Sequence, residues 1–116
     1  MSGIAGYLGR EKTGVLEQMA ESMAHRGADD KRILRLGHLG FAHRRLSTID
    51  DPNELQPMQS ADERYTLVFN GEVYNAPELR DALEARLHVK FKTDTDTEVV
   101  LESLIAWGVK ALDRFD

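Results

Sequence analysis

The residues of this sequence that could do chemistry fall into a few short segments. Ser2 is a potential nucleophile, but it lies outside any Gly-x-Ser-x-Gly elbow, so a hydrolase of that type is excluded. The acidic side chains of residues 94–98 alternate as they do in a calcium loop. However, Val99 stands where such a loop needs glycine, and Ile105 stands where it needs glutamate. We therefore expect no metal site there.

Other polar candidates have simple structural interpretations. Asn70-Gly71 is the dipeptide best suited to a two-residue hairpin turn, and Thr95 with Glu98 has the form of a helix capping box. Asp96 would then be an acid at a helix N-terminus, and Arg45 a solvated residue at a strand end. The 4 histidines show no ligand spacing, and the chain has no glycine-rich phosphate loop.

Hydrophobic periodicity predicts the elements that must position these residues. The predicted strands cover residues 4–8, 33–36, 41–46, 65–69 and 89–91, with Gly37 and Gly40 in one turn and a hairpin from 65–69 through Asn70-Gly71 to 72–74. The predicted helices run from Val15 to a cap at Gly27, from Pro77 to Leu87, and from Thr95 to Gly108, and residues 47–62 form a loop. This arrangement favours an α+β fold with mainly antiparallel strands.

Composition narrows the classes of function. The chain has 116 residues, which allows one domain at most. Its net charge of -5 argues against a nucleic-acid partner, and the absence of cysteine excludes disulfides and thiolate metal sites. There is no apolar run that could span a membrane, and the N-terminus does not look like a signal peptide. We expect a cytoplasmic protein.

Three segments together resemble a known family. Residues 1–9, 70–75 and 94–99 are similar to the N-terminal glutaminase domain of asparagine synthetase, in family order. That domain is a class II glutamine amidotransferase with an N-terminal-nucleophile (Ntn) hydrolase fold. The resemblance extends from Gly3 to Phe115. It implies two antiparallel sheets layered between helices, and a domain that releases ammonia from glutamine for transfer to an acceptor.

The resemblance also implies which residues catalyse the reaction. The family nucleophile is a cysteine directly after the initiator methionine, and Ser2 occupies that position here. In this mechanism the α-amine of the same residue acts as the base, which requires removal of Met1. The Asn70 side-chain amide and the Gly71 backbone N–H would hold the oxyanion.

A second set of residues is implied to bind glutamine. The set is Arg45, Leu46, Thr48, Asn70, Gly71, Glu72 and Asp96, with Arg26 supporting the nucleophile. Arg45 would bind the α-carboxylate, because its planar fork suits two oxygens. Glu72 and Asp96 would bind the ammonium group.

Two departures from the family change the functional expectation. A serine hydroxyl is much less acidic than a thiol, so Ser2 should leave the site inactive or strongly impaired, whether it is natural or engineered. The family also continues past residue 116. We therefore expect residues 1–116 to form a partial amidotransferase domain that is incomplete at its C-terminus, without a synthetase domain.

These departures leave the cofactors and partners as follows. ATP and Mg are expected only in the family's synthetase domain, and no cofactor or metal is expected in this chain. The expected partners are glutamine and either a synthetase domain or subunit or a second copy, through self-association at an unfinished sheet. The alternative function is a non-catalytic glutaminase-fold module with a structural, regulatory or partner-binding role.

Overall fold

Helices and antiparallel strands make up this computed structural model, as the sequence predicts. It describes residues 2–46 and 55–116. Contacts divide the chain into two units: unit 1 comprises Met1–Asp50 and Val68–Asn70, and unit 2 comprises Asp51–Leu67 and Gly71–Asp116. The α+β prediction is therefore confirmed, and each unit is described by itself.

Unit 1 is built on a three-stranded antiparallel sheet. Its elements are β1 (Gly3–Leu8), α1 (Val15–Ser22), a 3-10 helix (Ala24–Arg26), β2 (Asp30–Leu36) and β3 (Leu39–Arg45). The strand order is β1-β3-β2, which puts β3 in the centre. Gly37, with a φ of 60°, makes the tight link between β2 and β3.

Helix α1 covers one face of this sheet. Leu16 and Ala20 on the helix are fully buried and pack with Ala42 of β3. Four partly buried side chains complete the cluster: Ala5, Tyr7, Met19 and Ile33. Since alternate strand residues point to opposite faces, the register assigns the other set of side chains to the second face. That set contains six large apolar residues, Ile4, Leu8, Leu34, Leu36, Leu39 and Phe41. Its polar members, Asp30, Arg32, His43 and Arg45, lie towards one end of the sheet.

Unit 2 is mainly helical. Its elements are β4 (Met58–Gln59), β5 (Thr66–Leu67), α2 (Ala76–Leu87), α3 (Asp96–Trp107) and a second 3-10 helix (Gly108–Arg114). Helix α3 packs on α2, on the second 3-10 helix and on the β4–β5 pair. The buried apolar residues of this unit are Val73, Ala76, Leu79, Leu83, Val99, Val100, Leu101 and Ala111.

The predicted hairpin at Asn70-Gly71 is wrong. The strand expected over 65–69 is reduced to Thr66–Leu67, and it pairs with Met58–Gln59 instead of 72–74. Residues 68–75 form no strand. The backbone N–H of Val73 donates to the Asp96 carboxylate at 2.8 Å and that of Tyr74 to the Asp116 carbonyl at 2.6 Å, so neither contributes to a strand ladder.

Smaller predictions also need correction. Residues 89–91 are not a strand, because the chain leaves α2 through a left-handed His88 and the N–H of Val89 closes back on Leu83. Helix α1 ends at Ser22, so Gly27 does not cap it and instead follows the short 3-10 helix with an extended φ of -155°. Gly40 lies within β3, opposite both Tyr7 and Arg35.

Within the predicted loop of 47–62, residues 58–59 form β4, and residues 47–54 lie outside the described part of the chain. Over the described residues, no helix combines the length and the apolar character needed to cross a membrane.

Candidate functional site

Two side chains from distant parts of unit 1 converge on the main chain of Ser2. The Arg26 Nε donates to the Ser2 carbonyl oxygen at 3.1 Å, and the Asn70 amide Nδ2 donates to the same oxygen at 3.0 Å. Both donors therefore fix the residue that directly precedes β1. The structure thus brings together three residues that the resemblance assigned to one site.

Glycine at position 3 allows the segment carrying Arg26 to approach. A Cβ on Gly3 would lie 3.1 Å from both Cβ and Sδ of Met23 and 3.6 Å from Cβ of Arg26. The contact with Met23 is tighter than ordinary van der Waals packing, so a larger residue at position 3 would require Met23, directly before the 3-10 helix, to shift by a few tenths of an ångström. Gly3 is therefore part of how the chain places Arg26 against Ser2.

Glycine at position 27 has a related role at the end of β3. A Cβ there would lie only 2.5–2.6 Å from main-chain atoms of Arg44 and Arg45. The Arg44 Nε donates to the Gly27 carbonyl at 2.9 Å, and the Asp29 N–H donates to the Arg45 carbonyl at 3.0 Å. These contacts hold the main chain at Arg45, whose side chain is half-buried.

The residues that follow β3 were also predicted to line the glutamine pocket. Leu46 is exposed, with 40% of its surface accessible. Thr48 lies outside the described residues.

Asp96 organises the site segment of unit 2. Its Oδ2 accepts a hydrogen bond from the Val73 N–H at 2.8 Å. Val73 is buried and directly follows Gly71 and Glu72, which are both exposed. The Asp96 carboxylate therefore fixes the main chain next to two of the predicted site residues.

The start of α3 agrees with the capping prediction in part. The Thr95 Oγ1 accepts from the Glu98 N–H at 3.3 Å, as a helix N-cap should. The Glu98 carboxylate does not take the reciprocal position of a capping box. It accepts instead from the N–H groups of Lys92 and Thr93. The half of the motif that forms, the Thr95 cap, places Asp96 at the first residue of α3.

A small open cleft in unit 2 includes the Asp96 side chain. It has a volume of ≈ 180 Å³ and is lined by Ala76, Pro77, Arg80, Asp81, Asp94 and Asp96. Small-molecule sites usually occupy about 300–1,000 Å³, so this cleft is smaller than a usual ligand site. Within residues 2–46 and 55–116, no group of three His, Asp or Glu side chains could hold a metal ion.

The predicted site residues therefore divide between the two units. Ser2, Arg26, Arg45, Leu46 and Asn70 belong to unit 1, where Ser2, Arg26 and Asn70 are joined by hydrogen bonds. Gly71, Glu72 and Asp96 belong to unit 2, where Asp96 is bonded to the residue after Glu72.

Some structural residues of the site were not found by sequence reasoning. Gly27 was interpreted as a helix cap, and its contact with the end of β3 has no local sequence signal. The carboxylate of Glu98 was assigned to the capping box, and nothing in the spacing indicated that it would bind Lys92 and Thr93 instead.

The chain is similar to one protein family over its whole length and to several curated relatives. Residues 1–116 match the family described as "Glutamine amidotransferase domain". An asparagine synthetase [glutamine-hydrolyzing] 1 of Bacillus subtilis is 47% identical over 87 residues, covering 75% of this chain and 14% of the relative. An asparagine synthetase [glutamine-hydrolyzing] 3 of the same organism is 35% identical over 100% of this chain and 20% of the relative. The Arabidopsis thaliana asparagine synthetase [glutamine-hydrolyzing] 1 is 34% identical over the same shares. The chain thus spans a fifth or less of these relatives.

Proposed function

Because this chain belongs to the glutamine amidotransferase domain family, we propose that it binds glutamine in a site built to release ammonia from the side-chain amide. The observation that carries this proposal is the hydrogen bond of 3.0 Å from the Asn70 amide to the Ser2 carbonyl. This bond joins Ser2, at the position of the family nucleophile, to Asn70, the proposed oxyanion donor, although the two residues are far apart in the sequence.

The proposed chemistry begins at Ser2. With Met1 removed, the Ser2 α-amine takes the proton from its own hydroxyl, and the hydroxyl oxygen attacks the amide carbon of glutamine. The C–N bond then breaks, the leaving amine is protonated to ammonia, and water hydrolyses the resulting ester to glutamate. While Met1 is attached, the Ser2 nitrogen is an amide and cannot accept a proton.

The oxyanion of this reaction needs hydrogen-bond donors. A carboxamide nitrogen carries two N–H groups, and Asn70 uses one of them on the Ser2 carbonyl. We assign the second Asn70 N–H and the Gly71 backbone N–H to the oxyanion. Arg26 acts on the same carbonyl from another direction and so positions the nucleophile. Losing one oxyanion donor typically costs about 100- to 1000-fold in rate.

The zwitterionic end of glutamine needs charged partners. We assign the α-carboxylate to Arg45 and the ammonium group to Glu72 and Asp96, with main-chain groups at Leu46 and Thr48 lining the pocket. The half-buried position of Arg45 at the end of β3 supports its role, because partial burial strengthens a charge pair.

Serine at position 2 lowers the activity that this site can reach. An α-amine with a pKa near ~8 is a weak base for a hydroxyl, whereas a thiol with a pKa near ~8.5 ionises readily. We therefore propose a glutamine site that is intact for binding and strongly impaired for turnover.

The relatives' names suggest the destination of the ammonia. They are glutamine-hydrolysing asparagine synthetases, so we propose that this domain serves a synthetase domain or subunit. ATP and Mg would act in that synthetase, and the glutaminase reaction itself would need no cofactor.

Calorimetric titration with glutamine tests the binding proposal. We expect weak saturable binding that is reduced at least about 10-fold by Arg45→Met, because that change removes a charge-assisted hydrogen-bond pair. Arg10→Met, at an exposed position of unit 1, is the matched control and should leave binding unchanged. Titration of the folded chain without saturable heat would favour the non-catalytic module.

A further inference from the structure

The segment 91–95, which lies between α2 and α3, is held from two sides by side chains that have no assigned role. We propose that Arg80 and Glu98 are positioning residues that set the Asp96 carboxylate, and through it the main chain after Gly71 and Glu72. This inference rests on the proposed function for the meaning of Asp96, but the geometry it invokes is independent of that function. All of these residues belong to unit 2.

The Glu98 carboxylate holds segment 91–95 by accepting hydrogen bonds from backbone N–H groups of the segment. The side chain is buried, with only 6% of the residue exposed, so its carboxylate must be satisfied within the protein. It accepts from the Lys92 N–H at 2.9 Å, from the Thr93 N–H at 2.6 Å and from the Thr93 hydroxyl at 2.7 Å. A carboxylate with several donors of this kind fixes the backbone that supplies them.

The Arg80 guanidinium holds the same segment by donating hydrogen bonds to backbone carbonyl groups of the segment. Its Nη1 donates to the Thr93 carbonyl at 2.9 Å, and its Nη2 donates to the Thr95 carbonyl at 3.3 Å. The guanidinium also stacks on Phe91, 4.2 Å from the ring centre. A planar fork that reaches two carbonyls specifies the geometry in a way that a lysine ammonium would not.

The two side chains together determine where Asp96 stands. Both hold Thr93, Arg80 also holds Thr95, and Thr95 is the N-cap directly before Asp96. Asp96 then accepts from Val73 at 2.8 Å. Segment 91–95 belongs to no helix or strand. Its backbone N–H and carbonyl groups are therefore bonded by the Glu98 and Arg80 side chains instead of by a regular backbone hydrogen-bond pattern.

A purely structural role for Arg80 and Glu98 makes a different prediction. If they only stabilised the helices, their loss would lower the protection of α2 and α3 amides in proportion to the loss of global stability. If they position Asp96, the Val73 amide should lose its protection selectively, because its acceptor moves while the helix cores stay closed.

Residue-resolved amide hydrogen exchange on the full chain separates these roles. The variants are Glu98→Gln, Arg80→Met and the milder Arg80→Lys. The controls are Glu102→Gln, one turn further along α3, and Arg86→Met in the last turn of α2. Glutamine titration of the same proteins is the second measurement.

We expect exchange at Val73 to rise at least about 10-fold relative to buried Leu101 in Glu98→Gln and Arg80→Met, and less in Arg80→Lys. Both controls should match the parent. Glutamine affinity should likewise fall most in Glu98→Gln and Arg80→Met and less in Arg80→Lys. Should Glu98→Gln and Arg80→Met unfold, the comparison of Val73 with Leu101 in Arg80→Lys decides.

Equal changes at Val73 and Leu101 in the folded variants, or no change at Val73, would overturn the positioning role. A parent chain that does not bind glutamine would instead remove the proposed function, and the exchange result would still decide whether Arg80 and Glu98 set Asp96.

Discussion

At the scale of single residues, the site depends on glycines that let main chains approach as much as on its polar groups. Gly3 admits the 3-10 helix beside β1, and Gly27 admits the chain beside the end of β3. The sequence resemblance assigned Ser2, Arg26 and Asn70 to one site, and the structure joins them by hydrogen bonds. The helix cap predicted at Gly27 from hydrophobic periodicity was wrong, because the close approach of two backbones depends on tertiary packing.

Gly27→Ala should therefore destabilise unit 1 and weaken glutamine binding. An added Cβ would lie 2.5–2.6 Å from Arg44 and Arg45 main-chain atoms, which cannot rotate away as a side chain could. Overpacking of this kind costs about 1–3 kcal/mol. Denaturant unfolding measures the loss, with Ala28→Ser at the exposed next residue as the control. An unchanged unfolding midpoint would show that the two segments do not meet as described.

At the scale of elements, prediction succeeded where the signal was local. Thr95 was identified as the cap of α3 because the cap and its N–H lie within one helical turn. The Asn70-Gly71 hairpin failed because Val73 and Tyr74 donate to Asp96 and Asp116, far along the sequence. Local propensity cannot anticipate partners of that kind.

A network of hydrogen bonds and ion pairs around Glu11, at the start of α1, was not indicated by the sequence. Glu11 accepts from the Leu16 N–H at 3.0 Å and from the Tyr7 hydroxyl at 2.9 Å, and Arg35 pairs with it at 2.8 Å. The hydrogen bond from Arg35, followed by that from Leu16, lowers the pKa of Glu11 from 4.5 to about 2. Arg35 also pairs with Glu17 and so ties β2 to α1.

The stability of the chain should therefore fall in acid partly through Glu11. Because its folded pKa is depressed, its contribution is complete above pH 4.5 and is lost as pH falls towards 2. Glu11→Gln should remove this part of the pH dependence, whereas Glu84→Gln, on the exposed side of α2, should retain it. Denaturant unfolding across this pH range gives the comparison, and equal slopes for Glu11→Gln and the parent would contradict it.

At the scale of the whole molecule, the α+β class was predictable from alternating periodicities, and membership of the amidotransferase family agrees with it. The layering of an Ntn hydrolase remains a prediction. In unit 1 the end of the sheet face opposite α1 that carries Leu8, Leu36 and Leu39 is apolar and partly exposed, with Leu8 at 85% and Leu36 at 41% accessible. Exposed apolar surface of this kind is typical of interaction sites.

We therefore expect the isolated chain to self-associate through this face. Leu8→Lys should shift the sedimentation profile towards the monomer, since it places a charge on the face. Leu112→Lys, on the second 3-10 helix of unit 2, should not, although Leu112 is also exposed at 63%. A parent chain that sediments as a monomer at all accessible concentrations would refute the expectation.

We propose a glutaminase site in residues 1–116 that is disabled at Ser2. Its most direct test is ammonia release from glutamine by the Ser2→Cys variant, with removal of Met1 verified by intact mass. We predict clear glutaminase activity where the parent shows almost none, and a loss of about 100- to 1000-fold when Asn70→Ala is added. Ammonia at background level from folded Ser2→Cys with a free N-terminus at position 2 would contradict the claim and favour a non-catalytic module.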